Sequence, residues 1–258
     1  MEVVVLGSGS KGNSALVRAA GSALLVDAGL SARQLRRRLD AVGQDPARIE
    51  AVLLTHEHSD HVAGLRVFRR RFPLPVVANA PTLEATERIV GESLDGSVEQ
   101  ATGTCLEIGP FRVTSFPVPH DAAETVGYVI EAEGVRLGYA TDLGHVTHLV
   151  HERLASCELV VIEANHDRQM LLDGPYPWAT KQRVASRHGH LSNDHAASLL
   201  PDLARSSARA VVLAHLSETN NDPLLALAAV KGALHAEGLD AMRVELARQD
   251  APAAGVAV

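Results

Sequence analysis

The succession of elements in this chain predicts an α/β protein of four layers: two mixed β-sheets packed face to face, with helices on both outer faces, an αββα sandwich. Three observations carry that expectation. Short apolar runs separated by turn residues crowd the first part of the chain, and later runs alternate with helical stretches, so strand-rich and alternating segments occur twice. Hydrophobic residues make up 46% and charged residues 21%, an ordinary globular composition. No internal repeat or low-complexity linker divides the 258 residues. Residues 1–250 are therefore expected to form one domain, and residues 251–258, small and apolar, a loose tail.

Taken in order, residues 3–6 form an apolar strand that meets the loop Gly7-Ser8-Gly9-Ser10-Lys11-Gly12-Asn13-Ser14. Residues 15–18 and 23–26 follow as strands, the last ending in Asp27-Ala28-Gly29. Ser31 suits the N-cap of a helix over 32–42, because its side-chain oxygen can accept an unpaired amide of the first turn. Residues 51–54 form a short buried strand that runs directly into a His-rich segment. Next come a helix over 64–71, a strand at 76–78 and a helix over about 82–91 that Pro81 opens. Residues 104–108, 111–116, 125–132 and 135–140 are strands with hairpin-like turns, followed by a helix around 146–155 and a strand at 159–163. Helices near 177–187 and 193–205, the second capped by Ser192 or Asn193, precede a strand at 210–214, a helix near 222–236 and a strand at 240–245.

Several function classes recede on composition. A net charge of −7 does not describe a surface built wholesale for polyanions. Two local basic clusters, Arg33 with Arg36-Arg37-Arg38 and Arg66 with Arg69-Arg70-Arg71, each share a helix face by spacing. Taken alone they are expected to be solvated faces. Cys105 and Cys157 stand in no metal or redox spacing and are expected to be reduced thiols of a cytosolic protein. Neither a signal-peptide pattern nor a bilayer-length apolar run is present, so a cytoplasmic location without a membrane partner is expected.

The 13 histidines are the outlier, and their spacing carries the chemistry. His56, His58, Asp60 and His61 fall within six residues at the end of an apolar strand. Alternate side chains of an extended segment share a face, so His56 and His58 can converge on one cation. Asp60 and His61, at the start of a following helix, can address a second. Imidazole suits zinc and similar transition metals, and a carboxylate adds charge neutralisation. A polar turn with chance histidines is the plain alternative, and this density directly after Val52-Leu53-Leu54-Thr55 argues against it.

Thr55-His56-Glu57-His58-Ser59-Asp60-His61 with Gly64 resembles the HxHxDH signature of the metallo-β-lactamase superfamily. Further blocks follow in that family's order: Pro119-His120-Asp121, Thr141-Asp142-Leu143 and Ala214-His215-Leu216, each after an apolar strand. The resemblance implies that His56, His58 and His120 hold one metal, that Asp60, His61 and His215 hold the other, and that Asp142 bridges them. Asp27 would support the ligands from behind. The implied cofactor is a pair of divalent ions, zinc or manganese, with iron also compatible. Two cations about 3.5–4 Å apart lower the pKa of a shared water and stabilise both entering and leaving oxygens.

The superfamily spans several hydrolytic reactions, so the fold alone does not select one. The opening Gly7 to Ser14 loop, Glu163-Ala164-Asn165-His166-Asp167, Gly174-Pro175-Tyr176-Pro177-Trp178, Gly189-His190-Leu191-Ser192-Asn193 and His215-Leu216-Ser217-Glu218-Thr219-Asn220-Asn221 resemble its YycJ/WalJ-like branch, related to ribonuclease Z. That resemblance, from residue 2 to about 245, implies a 5′→3′ DNA exonuclease linked to mismatch repair. It casts Asp60 and His190 as catalytic, with Glu163 orienting His190, and draws Ser192, Asn193 and Lys181 towards the substrate, with Arg183 as a further backbone contact; Arg66, Arg69, Arg70 and Arg71, close behind the metal motif, are a candidate backbone face, with plain helix surface the first expectation. Trp178 is expected to pack rather than stack on a base. Only residues 121–141 separate His120 from Asp142, which leaves no room for a tRNA-gripping arm, and no large cap fits between Asp142 and His215. The competing expectations are a lactonase or cyclic phosphodiesterase on the same fold, and a non-enzymatic binding module, against which the complete ligand set argues.

Overall fold

A computed structural model describes residues 1–258. In chain order the elements are β1 (Glu2–Gly7), β2 (Ser14–Ala19), β3 (Ser22–Val26), α1 (Ala32–Ala41), β4 (Ile49–Leu53), α2 (Ser59–Val62), α3 (Leu65–Arg71), β5 (Val76–Ala78), α4 (Ala80–Val90) and β6 (Val98–Glu99). They continue with β7 (Cys105–Ile108), β8 (Phe111–Pro117), β9 (Val126–Ala132), β10 (Val135–Ala140), α5 (His148–Ala155), β11 (Leu159–Glu163), α6 (Arg168–Asp173), α7 (Trp178–Val184), α8 (Asn193–Ser206), β12 (Ala210–Ala214), α9 (Pro223–Ala236), β13 (Arg243–Leu246) and β14 (Val256–Ala257).

The strands form two seven-stranded mixed sheets, ordered β14-β1-β2-β3-β4-β5-β6 and β13-β12-β11-β10-β9-β8-β7. Alternation along each strand builds the layers. Val3 and Val5 face the second sheet, where they join Val17, Leu24, Leu53, Tyr128, Ile130, Tyr139 and Val161 in the inter-sheet core. Val4 and Leu6 point outward and pack under Leu35, Leu39, Leu65 and Phe68 of α1 and α3. On the far side, Val160, Ile162, Val211 and Leu213 receive Leu154, Leu200, Leu203 and Val230 from α5, α8 and α9. Three apolar clusters between four layers are the expected αββα sandwich, and full burial of each large aliphatic side chain contributes about 1.5–3 kcal/mol.

The residues after 250 correct one expectation. They are not a loose tail: Val256 and Ala257 pair antiparallel with Val3 and Glu2. Val256 is fully buried in the inter-sheet core, and the Ala253 amide donates to Val5 O at 2.8 Å. An apolar side chain with a free strand edge beside it is more stable paired than solvated.

The connections place the chemistry. β3 runs parallel to β4, and β10, β11 and β12 run parallel to one another. β8 and β10 are both antiparallel to β9. The carboxyl ends of β3, β4, β8, β10, β11 and β12 therefore lie at one edge of the sandwich, where open α/β sheets place their crevices. Residues 121–141 are spent on the approach to β9 and on the β9–β10 hairpin.

Candidate metal centre

Each ligand-type residue found in the sequence sits just past one of those strand ends. His56 and His58 follow β4, Asp60 and His61 open α2, His120 follows β8, Asp142 follows β10 and His215 follows β12. Asp27, Asp142 and His215 have φ of 60°, 56° and 53°, a left-handed conformation that is sterically costly for side-chain-bearing residues and recurs at functional sites.

The side chains converge in groups whose ligand atoms all lie within 4.8 Å of one another: His56, His58 and His120; Asp60, His61 and His215; and His56, His61 and Asp142, which joins the two sets. Most of these residues are buried. The hydrogen bonding within them is incomplete in a telling way. His56 Nε2, His120 Nε2 and Asp142 Oδ2 are buried with no hydrogen-bond partner. Orphaned groups of this kind cost about 1–3 kcal/mol each unless something satisfies them. Three such atoms, all of ligand type and aimed into one cluster, fit divalent cations.

The opposite ring nitrogens are held, as ligating imidazoles require. His61 Nδ1 lies 2.8 Å from Asp27 Oδ2, and Asp27 is steadied by the amide and hydroxyl of Thr55. His120 Nδ1 donates to Gly189 O at 3.0 Å, and His56 Nδ1 meets Thr55 Oγ1 at 3.0 Å. Glu163 Oε1 accepts from both His190 Nδ1 at 2.8 Å and His215 Nδ1 at 2.9 Å, while its Oε2 accepts the amides of Leu143 and Leu191. Glu163 is fully buried, yet these bonds and the neighbouring imidazoles outweigh the burial and hold its carboxyl down to about 2.

Electrostatics divide the imidazoles. Burial holds His56 well below its ordinary value, and burial likewise lowers His120, so both are neutral. Burial also opposes charge on His61 and His215, but Asp142 and its companions overcome it and raise both well above the usual histidine range. His190 is raised against burial by Glu163. Asp60 and Asp142 stay ionised, because the facing imidazoles outweigh desolvation.

Three residues to which the sequence assigns no role complete the cluster. Asn13 Nδ2 reaches Asp60 Oδ2 at 3.1 Å and His61 Nε2 at 3.1 Å, and Asn13 Oδ1 accepts from Gly9 N and Ser8 Oγ. Ser8 Oγ also accepts the His215 amide, and Thr55 braces Asp27. The signal for Asn13 and Ser8 is the Gly/Ser-rich loop itself, whose fold needs close backbone approach. A Cβ on Gly12, whose φ is +135°, would sit 2.7 Å from Gly29 O.

The residues expected to contact substrate sit in different surroundings. Ser192 caps α8 by accepting the His195 amide, and it is buried. Asn193 is buried and exchanges amide hydrogen bonds with Asn221. Asn193 thereby ties the start of α8 to the segment just before α9. Lys181 is half-buried with its Nζ donating to Leu172 O, and exposed Arg183 pairs with Asp121 beside His120. Trp178, expected to pack, is 64% exposed on α7.

Residues 23–216 match the family model described as a β-lactamase superfamily domain. The chain belongs to that superfamily. Within the superfamily it is 37% identical to the exodeoxyribonuclease YycJ of Bacillus anthracis over 235 residues, 91% of this chain and 89% of that protein. It is 34% identical to the exodeoxyribonuclease WalJ of Streptococcus pneumoniae over 221 residues, 84% of this chain and 82% of that protein. These place it in the superfamily's YycJ/WalJ branch, and proteins so named are hydrolases. The zinc-bound PqqB structure from Methylobacterium extorquens superposes over 100% of both chains with a TM-score of 0.71 at 22% identity, which supports the fold. No helix is long and apolar enough to cross a membrane.

Proposed function

We propose that this chain is a dinuclear, metal-dependent phosphodiesterase that shortens DNA from the 5′ end, acts in the cytoplasm and serves DNA repair. The observation that carries the reading is the likeness to YycJ and WalJ, because it spans every segment that contributes to the metal cluster. His56, His58 and His120 would hold one divalent cation, Asp60, His61 and His215 the other, and Asp142 both. Zinc or manganese suits this mixed imidazole and carboxylate set, with iron also compatible. The bound pair supplies Lewis acidity to a phosphoryl oxygen and acidifies a water.

The chain's own residues do the rest. Asp60 keeps its charge beside His61 and His215 and would so help to hold the second cation. Glu163 holds His190 by Nδ1, which leaves Nε2 as the nitrogen able to carry a proton to the leaving oxygen. General-acid assistance of this kind contributes about 10²–10⁴-fold. Asn13 keeps the Asp60 and His61 side chains in register. The test is incubation of the metal-loaded protein with 5′-labelled duplex DNA and, in parallel, with a lactone panel. Release of the label as a short product from the outset is expected, whereas a ladder of shortened labelled strands would mean attack from the 3′ end. Nuclease activity no greater than that of Asp60→Ala, or turnover of lactones alone, overturns the reading.

A further inference from the structure

The two arginine clusters of the sequence, expected to be separate solvated faces, are one surface in the fold. α1 and α3 pack against each other over the outer face of the first sheet. Between them lies a groove of about 720 Å³ whose lining includes Arg33, Arg36, Arg37, Arg70, Arg71 and Phe72. Asp40 is the one carboxylate in that lining. Two of the eight clustered arginines have other work: Arg38 is buried with its guanidinium on Leu6 O, and Arg69 binds Leu74 O and Asp95 O. Arg36 pairs with Asp40 and Arg70 with Glu92. Arg33, Arg37, Arg66 and Arg71 are exposed and pair with no carboxylate. In a chain of net charge −7, the three of these that line the groove, Arg33, Arg37 and Arg71, are a local reversal of sign.

The groove is ordered and faces a definite direction. Arg36 and Arg71 each hold a guanidinium carbon 5.8 Å from the Phe72 ring centroid, so the ring fixes both cations in place. Both helices begin at the metal cluster. Ser31 caps α1 two residues after Gly29, whose backbone abuts Asp60, and α3 starts at Leu65, next to Gly64, whose amide donates to Ala28 O. Arg33 and Arg66 are the second residues of their helices. Arg37 and Arg70 lie about 6 Å further along, at 1.5 Å rise per residue. The cationic stripe thus leads away from the candidate active site by about the spacing of successive phosphates.

We infer that the α1/α3 groove is the track for the phosphate backbone of a DNA strand whose end lies at the metal cluster. The occupant is taken from the nuclease reading; the groove's charge and position are independent of it. Guanidinium groups suit the task because each contacts a phosphate oxygen through paired N–H donors and stays charged at any working pH. The exposed Val67 beside Phe72 gives the groove an apolar edge against which an unpaired base can lie.

The test measures binding of a fluorescein-labelled single-stranded DNA with phosphorothioate linkages to metal-loaded protein across a salt series. Arg33→Glu/Arg37→Glu/Arg71→Glu should weaken binding by about tenfold or more and reduce the log–log salt slope by about 2, three lost contacts at about 0.7 each. Asp40→Asn, an exposed change that removes the groove's carboxylate, should tighten binding about twofold or more at low salt. It answers the question even if the triple variant fails to fold, which metal content and thermal unfolding report. Unchanged affinity and slope in both variants overturns the groove, whether or not the protein cuts DNA. Unchanged DNA affinity with lost binding to phosphatidylglycerol vesicles also overturns it, and assigns the face to a lipid surface. Absence of cleavage above the Asp60→Ala control, with the variants' binding effects present, fails the nuclease reading and leaves the groove standing.

Discussion

Glu163 shows how much of this site lies behind its ligands. One carboxylate, fully buried, accepts two imidazole protons through Oε1 and two backbone amides through Oε2. Every one of its partners is a donor, so an amide in its place must aim an N–H at another N–H. Glu163→Gln is expected to lower DNA hydrolysis about 10–100-fold, the usual cost of losing a carboxylate behind a ligating histidine. Elemental analysis should still find the cation of the His56, His58 and His120 group, which Glu163 does not touch. Full activity in Glu163→Gln would remove the positioning role. The raised histidines make a second forecast. In the metal-free fold His61 and His215 are held above their ordinary value, so at pH 7 they keep protons that ligation must expel. His56 and His120 are already neutral, and Asp60 and Asp142 already ionised, so they contribute none. Metal titration at pH 7 should release roughly two protons per chain, and affinity should rise with pH until it passes those raised values. Calorimetry in two buffers of different ionisation enthalpy reads the number directly, and a value near zero contradicts it. The ligands themselves are legible in the sequence because each is a His or Asp directly after an apolar strand. Asn13 and Ser8 are not, because their partners, Asp60 and His215, lie 47 and 207 positions away.

Among the elements, those with strong local signals are legible in the sequence and those made by tertiary contact are not. β5, β10, β11 and β12 coincide with the apolar runs 76–78, 135–140, 159–163 and 210–214. α6 escapes a sequence reading because Arg168–Asp173 is a single short stretch whose only strong cue is the Asp167 cap. β6 and β14 have two residues each and exist through their neighbours. Ser192 and Asn193 show the converse, a block that resembles a functional motif and also serves the fold as cap and amide partner. Backbone packing at element junctions offers a sharp prediction. A Cβ at Gly64 would lie 1.9 Å from Leu30 O and 2.9 Å from Ala28 O, so Gly64→Ala must push α3 away from the loop that carries Asp27 and Gly29. Overpacking of this kind costs about 1–3 kcal/mol, which at about 2–4 °C per kcal/mol for a chain near this size lowers Tm by roughly 2–12 °C. Gly232, inside α9 with nothing within 4 Å of the place its Cβ would take, is the control. Gly232→Ala should raise stability by about 0.5–1 kcal/mol. Thermal unfolding of the pair checks both, and equal effects of the same sign would contradict the packing argument.

At the scale of the whole molecule, the metal cluster is where the two sheets are joined at their shared edge. Asp27, His56 and His61 belong to segments that follow strands of the first sheet, and His120, Asp142 and His215 to segments that follow strands of the second. Cations bound by both sets would act as a cross-link between layers that are otherwise held by the apolar core. Without them, the buried carboxylates Asp27, Asp142 and Glu163 and the unpartnered His56 and His120 nitrogens sit in the same volume. Chelation should therefore lower stability as well as activity. A metal present at about 100 times its dissociation constant contributes about 2.7 kcal/mol to the folded state. At about 2–4 °C per kcal/mol the metal-stripped protein is expected to unfold roughly 5–11 °C below the loaded form. The lost protection should appear at the carboxyl ends of β4, β8, β10 and β12, read by amide hydrogen exchange, while the middle of β1 and β2, flanked by strands on both sides, keeps its protection. An unchanged Tm after verified metal removal would mean that the sheets are held at that edge by the protein alone, and that the cluster does not bind cations tightly in the folded state.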